Sequence, residues 1–114
     1  MKIEDLDVFK LSHSLVLKIY ELTKNLPSSE KFGLITQMRR AAASIPTNLI
    51  EGAYRISRKE FKHFISIAKG SCGEIKYQIF LSRDLNYLNN DKYNELKIEY
   101  ERVSMMLTKL HQSL

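Results

Sequence analysis

The sequence predicts an all-α protein, an up-down-up-down antiparallel four-helix bundle with a kinked second helix. Three observations carry this. Apolar residues recur at spacings of three and four along four separate stretches. The breaks between those stretches are short and hold proline, serine or asparagine, which favours antiparallel neighbours. No period-two alternation competes with them. With 114 residues, 44% of them apolar, a single domain over residues 1–114 with one continuous core is expected.

The first helix, about residues 6–26, carries the stripe Val8, Leu11, Leu15, Ile19, Leu22 and Leu26 and stops at Pro27. Ser28 or Ser29 is placed to cap the second, about 29–54, whose stripe Leu34, Met38, Ala41, Ile45 and Leu49 keeps its phase through Pro46. A proline inside a helix removes one hydrogen bond at a cost of about 3 kcal/mol, so Pro46 should kink the helix and free the carbonyl of Ala42. The third helix, about 58–88, starts at a Ser57/Glu60 capping box and buries Phe61, Ile65, Ala68, Cys72, Ile75 and Ile79. Asn89, Asn90 and Asp91 form a polar turn and cap. The fourth helix, about 91–113, follows with Tyr93, Leu96, Tyr100, Val103, Leu107, Leu110 and Leu114.

At about 100° per residue, Gln37, Arg40, Ser44, Asn48 and Glu51 line one edge of the second helix's apolar stripe. Ser71, Glu74 and Gln78 share a side of the third. Buried polar groups need partners, so these eight residues are expected to form a polar network between or beside helices two and three, with a solvated helix face as the alternative. The third helix also carries Phe64, Ile67, Leu81 and Leu85 on a flank distinct from its core stripe. That surplus either widens the core or meets another copy of the chain. Gly70 and Gly73, costly inside a helix, mark a place where another backbone comes close.

The net charge is +5, which favours polyanionic partners. Lys62, Lys69, Lys76 and Arg83 recur every seven residues along the third helix, and Arg55, Arg58 and Lys59 cluster at its start. Such a row can contact successive phosphates without reading bases; the plainer possibility is a solvated face paired with acids on neighbouring helices. Base-reading motifs are absent: there is no zinc-finger spacing, RNP motif or GXXG loop. No apolar run is long enough to span a membrane and the N-terminus lacks a signal-peptide pattern, so a cytoplasmic protein is expected. The single cysteine, Cys72, falls in the core register and reads as an inert thiol.

Catalytic and metal chemistry find little purchase. Two-metal bundles need two Glu-x-x-His pairs, and only Glu60 with His63 is present; no metal or cofactor is expected. Arg58 and His63 match the loose R-x4-H spacing of HEPN-type helical ribonucleases, with a lysine after Arg58 where a small polar residue is usual. They are the catalytic alternative.

Taken together, the segments "LDVFKLS", "IYELTKNLPSSEKFGL", "FGLITQMRRAAASIPTNLIEGAYRIS" and "EFKHFISIAKGSCGEIKYQI" resemble the bacterial four-helix-bundle family encoded in 23S ribosomal RNA intervening sequences. The most specific matching positions are Gln37 with Arg40, Ser44-Ile45-Pro46 with Asn48, Glu51-Gly52, and Gly70-Ser71 with Glu74. That family is in turn similar to the accessory protein of diversity-generating retroelements, a basic pentameric barrel linked to nucleic acid and a reverse transcriptase. The resemblance implies a homopentamer with a nucleic-acid-associated, non-enzymatic role. The first expectation is therefore a homo-oligomer that binds RNA or DNA backbone through basic helix edges. A purely structural or protein-binding oligomer comes second, and a ribonuclease using Arg58 and His63 third.

Overall fold

A computed structural model describes residues 2–114. A 3₁₀ turn at Ile3–Asp5 leads into α1 (Asp7–Thr23), and a second at Ser28–Glu30 precedes α2 (Leu34–Ala53). α3 (Arg58–Asp84) and α4 (Asn90–Gln112) complete the chain. Each helix packs on its chain neighbours and α1 closes the ring against α4, while the diagonal pairs α1–α3 and α2–α4 make no backbone approach among the described residues. This is a four-helix bundle. At about 1.5 Å per residue the 27-residue α3 is roughly 40 Å long, and it sets the 43 Å long axis of a 43 × 25 × 20 Å body.

The predicted stripes form the core. Leu15, Ile19, Met38, Ile45, Leu49, Ile75, Ile79, Tyr100, Val103 and Leu107 are completely buried. Burying a side chain of this size contributes about 1.5–3 kcal/mol, so the four stripes together supply the main drive to fold. α1 and α4 share the smaller contact, supported at its rim by the Lys18 ammonium, 2.9 Å from Glu99 and 3.8 Å from Glu95.

Helix ends differ from expectation in three places, the first being α1, which stops at Thr23, three residues before Leu26. α2 begins at Leu34, five residues after the anticipated start. Ser28–Glu30 winds as a separate 3₁₀ turn, and Glu30 Oε1, 3.3 Å from the Leu34 amide, takes the place of a serine cap. α3 ends at Asp84, short of Leu88, because Asn86 adopts φ 65°. The Tyr87 amide then donates to Ser82 O (2.8 Å) and the Asn86 amide to Arg83 O (2.9 Å), the paired bonds of a Schellman stop with asparagine in the left-handed position. The Ser57/Glu60 capping box forms as predicted, and Asn89 caps α4 through the Lys92 amide at 2.8 Å.

α2 and α3 share the most extensive contact of the bundle. α2 stays helical through Pro46, whose ring is buried in a shallow apolar cleft with Phe9 and Val16 of α1. At the far end of this contact Gly52 is buried, and a Cβ there would lie 2.7 Å from Phe64 Cβ and 3.0 Å from Phe61 Cδ1. Only glycine lets the end of α2 approach the start of α3 so closely.

Candidate nucleic-acid interface

The α3 cations divide into two groups. In the second half of the helix they are engaged: Lys76 Nζ lies 4.0 Å from Glu101 of α4, and Arg83 pairs with Asp84 at 3.2 Å. The Arg83 guanidinium also stacks over Phe80 and Tyr93, 4.7 and 4.3 Å from the ring centroids. In the first half, Arg58, Lys59, Lys62 and Lys69 enter no ion pair among the described residues. Lys69 instead donates to the uncharged Thr108 hydroxyl at 2.6 Å. Arg55 belongs with the engaged group, 3.2 Å from Glu51 and stacked over Phe64 at 4.8 Å.

Position strengthens the difference. Arg58 and Lys59 occupy the first turn of α3, where unpaired amides already give the helix end a partial positive charge. Cations at that end are disfavoured by about 0.3–1 kcal/mol each, partly relieved here by the Glu60 carboxylate of the capping box. Stability alone would not select them. The corner between α2 and α3 therefore concentrates positive potential, with Tyr54 and Ile56 exposed beside it.

The predicted polar network is smaller than expected. Ser44 and Ser71 meet hydroxyl to hydroxyl at 2.8 Å across the α2–α3 contact, and Asn48 Nδ2 donates to Ser44 O (2.8 Å) and Ser44 Oγ (2.9 Å). Gln78, two turns further along α3, is buried but does not join them, and its Oε1 has no partner among the described residues. Gln37, Arg40 and Glu74 are exposed and make no hydrogen bond across the seam, and Glu51 turns to Arg55 on its own helix in place of α3. Charged groups would lose hydration in that seam, whereas two hydroxyls fit where the helices lie close. On the solvent side of α3, Ile67 and Leu85 are exposed, and a Cβ on Gly70 or Gly73 would meet nothing within 4 Å. The close backbone expected at these glycines is thus not found among the described residues.

Other singled-out groups lie apart. Arg58 and His63 are both exposed and share no hydrogen bond; the His63 ring meets Phe64 edge-on, with centroids 5.6 Å apart. No three His, Cys, Asp or Glu side chains converge as a metal site among the described residues. Cys72 is fully buried, its thiol donating to Tyr100 O at 3.2 Å and pushed up to about 11 by loss of hydration. The neighbouring Tyr100 hydroxyl is buried without a protein partner, and burial raises it too. Among the described residues no helix is long and apolar enough to cross a membrane.

A model of the 23S rRNA-intervening sequence protein family matches residues 4–109. The chain belongs to this family. A crystal structure of a protein with unknown function from the S23 ribosomal protein family of Bacteroides thetaiotaomicron superposes with a TM-score of 0.84 at 24% identity, covering 91% of this chain and 97% of that one. At that identity the likeness speaks for the fold. No curated protein matches the chain. In this intervening-sequence protein the motif residues Ser44, Asn48 and Ser71 form the polar seam, Gly52 the close crossing, and Gly70 the open α3 face.

Proposed function

We propose that this intervening-sequence protein is a non-enzymatic, self-associating bundle that binds the RNA or DNA backbone and acts as an accessory component of a ribonucleoprotein. The observation that carries the reading is the set of four α3 cations, Arg58, Lys59, Lys62 and Lys69, without an acidic partner among the described residues. Phosphates are the chemistry that such a set accepts, and it contains no base-reading arrangement. Self-association rests on the open α3 face of Ile67, Gly70, Gly73 and Leu85, with a closed ring, pentameric by family resemblance, as the assembly.

The test is a salt titration of binding to generic RNA. Four phosphate contacts per protomer predict a slope of log affinity against log salt of about −3 to −4. A flat response, or no binding at low salt, would remove the nucleic-acid role and leave a structural or protein-binding oligomer. RNA incubated with the protein should stay intact; cleavage that a His63→Ala variant abolishes would establish the ribonuclease alternative.

A further inference from the structure

The turn that joins α2 to α3 carries apolar surface that the fold does not use. Tyr54 and Ile56 are 81% and 102% exposed, so neither contributes to the core. Other exposed rings of the chain are covered on one face: Tyr20 lies under Arg39 at 4.7 Å, Phe32 under Lys31 at 5.6 Å, and Tyr77 stacks on Phe80 at 6.5 Å. Among the described residues no ring and no cation packs on Tyr54. The adjacent Arg55 does not cover it, because its guanidinium is held by Glu51 and the Phe64 ring.

The backbone that carries this ring is ordered before anything binds. Tyr54 caps the C-terminus of α2, and its amide donates to Ile50 O at 3.1 Å, so little ordering is left to be done on association. Beside it lies a hollow of about 290 Å³ shared with Lys2, Ile3, Glu4 and Ala53, which gives a flat group room next to the ring. The Glu4 carboxylate makes that side a poor place for a phosphate. Along the chain the turn leads instead to Arg58 and Lys59, which enter no ion pair among the described residues. Five residues span at most about 18 Å, so the ring and both cations fall within reach of one short stretch of strand.

We infer that Tyr54 is a stacking site for an unpaired nucleobase, and that the strand taken up at this corner is single-stranded nucleic acid with its phosphates on Arg58 and Lys59. An open aromatic ring beside unpaired cations matches an anion that repeats flat rings and charges along one chain. Bases within a duplex are already stacked on both faces and would leave Tyr54 in water. A carboxylate-rich protein segment would satisfy the cations and leave the ring uncovered. Stacking tolerates every base because each has a π-face, so the site adds affinity without reading sequence. The inference rests on the backbone-binding role proposed above and names the form of its ligand.

Fluorescence anisotropy of the full chain with labelled oligouridylate and oligothymidylate of about ten nucleotides and an RNA duplex of the same length, with inorganic polyphosphate as competitor, tests this. Tyr54→Ala, at an exposed position where the far-UV circular dichroism should not change, should weaken both single strands about tenfold and shift the duplex and polyphosphate by less than about twofold. Tyr54→Phe should keep most of the affinity, since the ring and not the hydroxyl stacks. The salt slope in Tyr54→Ala should equal that of the wild type, because no charge is lost. In ¹⁵N spectra of the wild type, oligouridylate should move the Tyr54 and Ile56 signals, whereas polyphosphate should move only those of Arg58 to Lys62. Tighter binding of one oligomer identifies RNA or DNA as the strand, and with the dependence on Tyr54 either result supports the site. Single-strand affinity that survives Tyr54→Ala, a loss of equal size for the duplex, or Tyr54 and Ile56 signals that stay still would overturn it. If binding remains salt-dependent in those cases, the backbone-binding role stands and the exposed turn is left to a protein partner. Binding that is flat in salt yet lost in Tyr54→Ala keeps the stacking site and removes that role, and no binding of any strand at low salt removes both.

Discussion

Gly52→Ala should destabilise the protein although it places a better helix former in a helix. The added Cβ would lie 2.7 Å from Phe64 Cβ, whereas carbon atoms in contact sit about 3.5–4.0 Å apart, so roughly 1 Å must be found. Phe61 Cδ1, at 3.0 Å, can turn away with its ring. Phe64 Cβ is fixed to the α3 backbone and cannot, so the end of α2 must part from α3. Overpacking of this kind costs about 1–3 kcal/mol, against up to about 1 kcal/mol gained from helix propensity. The net loss is about 1–2 kcal/mol, or roughly 4–8 °C in Tm for a chain of this size. Thermal unfolding followed by far-UV circular dichroism measures it. A Tm equal to or above wild type would refute the close crossing and, with it, the placement of the basic corner that Gly52 brings against α3.

Three further outcomes are expected. Gly70→Ala combined with Gly73→Ala should break self-association in light scattering while the separated chain gains up to about 2 kcal/mol from helix propensity, since beyond the local α3 backbone no described atom lies within 4 Å of the added carbons; an undiminished assembly would exclude this α3 face as the contact. Tyr100→Phe removes a buried hydroxyl without a protein partner and should raise stability by about 1 kcal/mol in urea unfolding; an equal loss would show that the hydroxyl is satisfied. Cys72 stands at about 11 in the fold against an ordinary 9.0, so its neutral thiol contributes in full below pH 9 and the contribution is lost between about pH 9 and 11. The wild type should weaken through that window by roughly 2–3 kcal/mol more than Cys72→Ala, and parallel curves would contradict the shift.

The four stripes were legible because helical period and burial are tied directly: every apolar residue expected in the α4 core from Tyr93 to Leu107 is buried. Local caps read equally well where both partners lie within one turn, as Ser57 and Glu60 do. The misses share a longer reach. The start of α2 at Leu34 depends on a 3₁₀ turn that brings Glu30 back to its amide, and the end of α3 depends on Asn86 in a conformation more often taken by glycine. The heptad of cations was visible in the sequence, but its division was not. Whether Lys76 meets Glu101 or Lys69 meets Thr108 is set by the stagger of α4 against α3, which no spacing within α3 records. Gly52 could have been found by asking why a glycine ends an otherwise regular helical stripe.

The stretch around Pro46 follows from the same geometry. The Pro46 ring faces α1, so the residue that weakens α2 stands away from the α3 seam. On the seam side Asn48 folds back onto its own helix, giving the Ser44 carbonyl an additional donor and holding the Ser44 hydroxyl, which then meets Ser71. Slipping α2 by one turn along α3 would part the two hydroxyls by about 5.4 Å and carry Gly52 away from Phe64, replacing a fitted crossing with a clash. Hydrophobic contact alone tolerates such a slip better, since one leucine or isoleucine can stand in for another. The serine pair and the glycine thus fix where α2 ends. That in turn fixes the place of Arg58 and Lys59 relative to Lys62 and Lys69, so the polar seam selects one register for the surface that carries the unpaired charge.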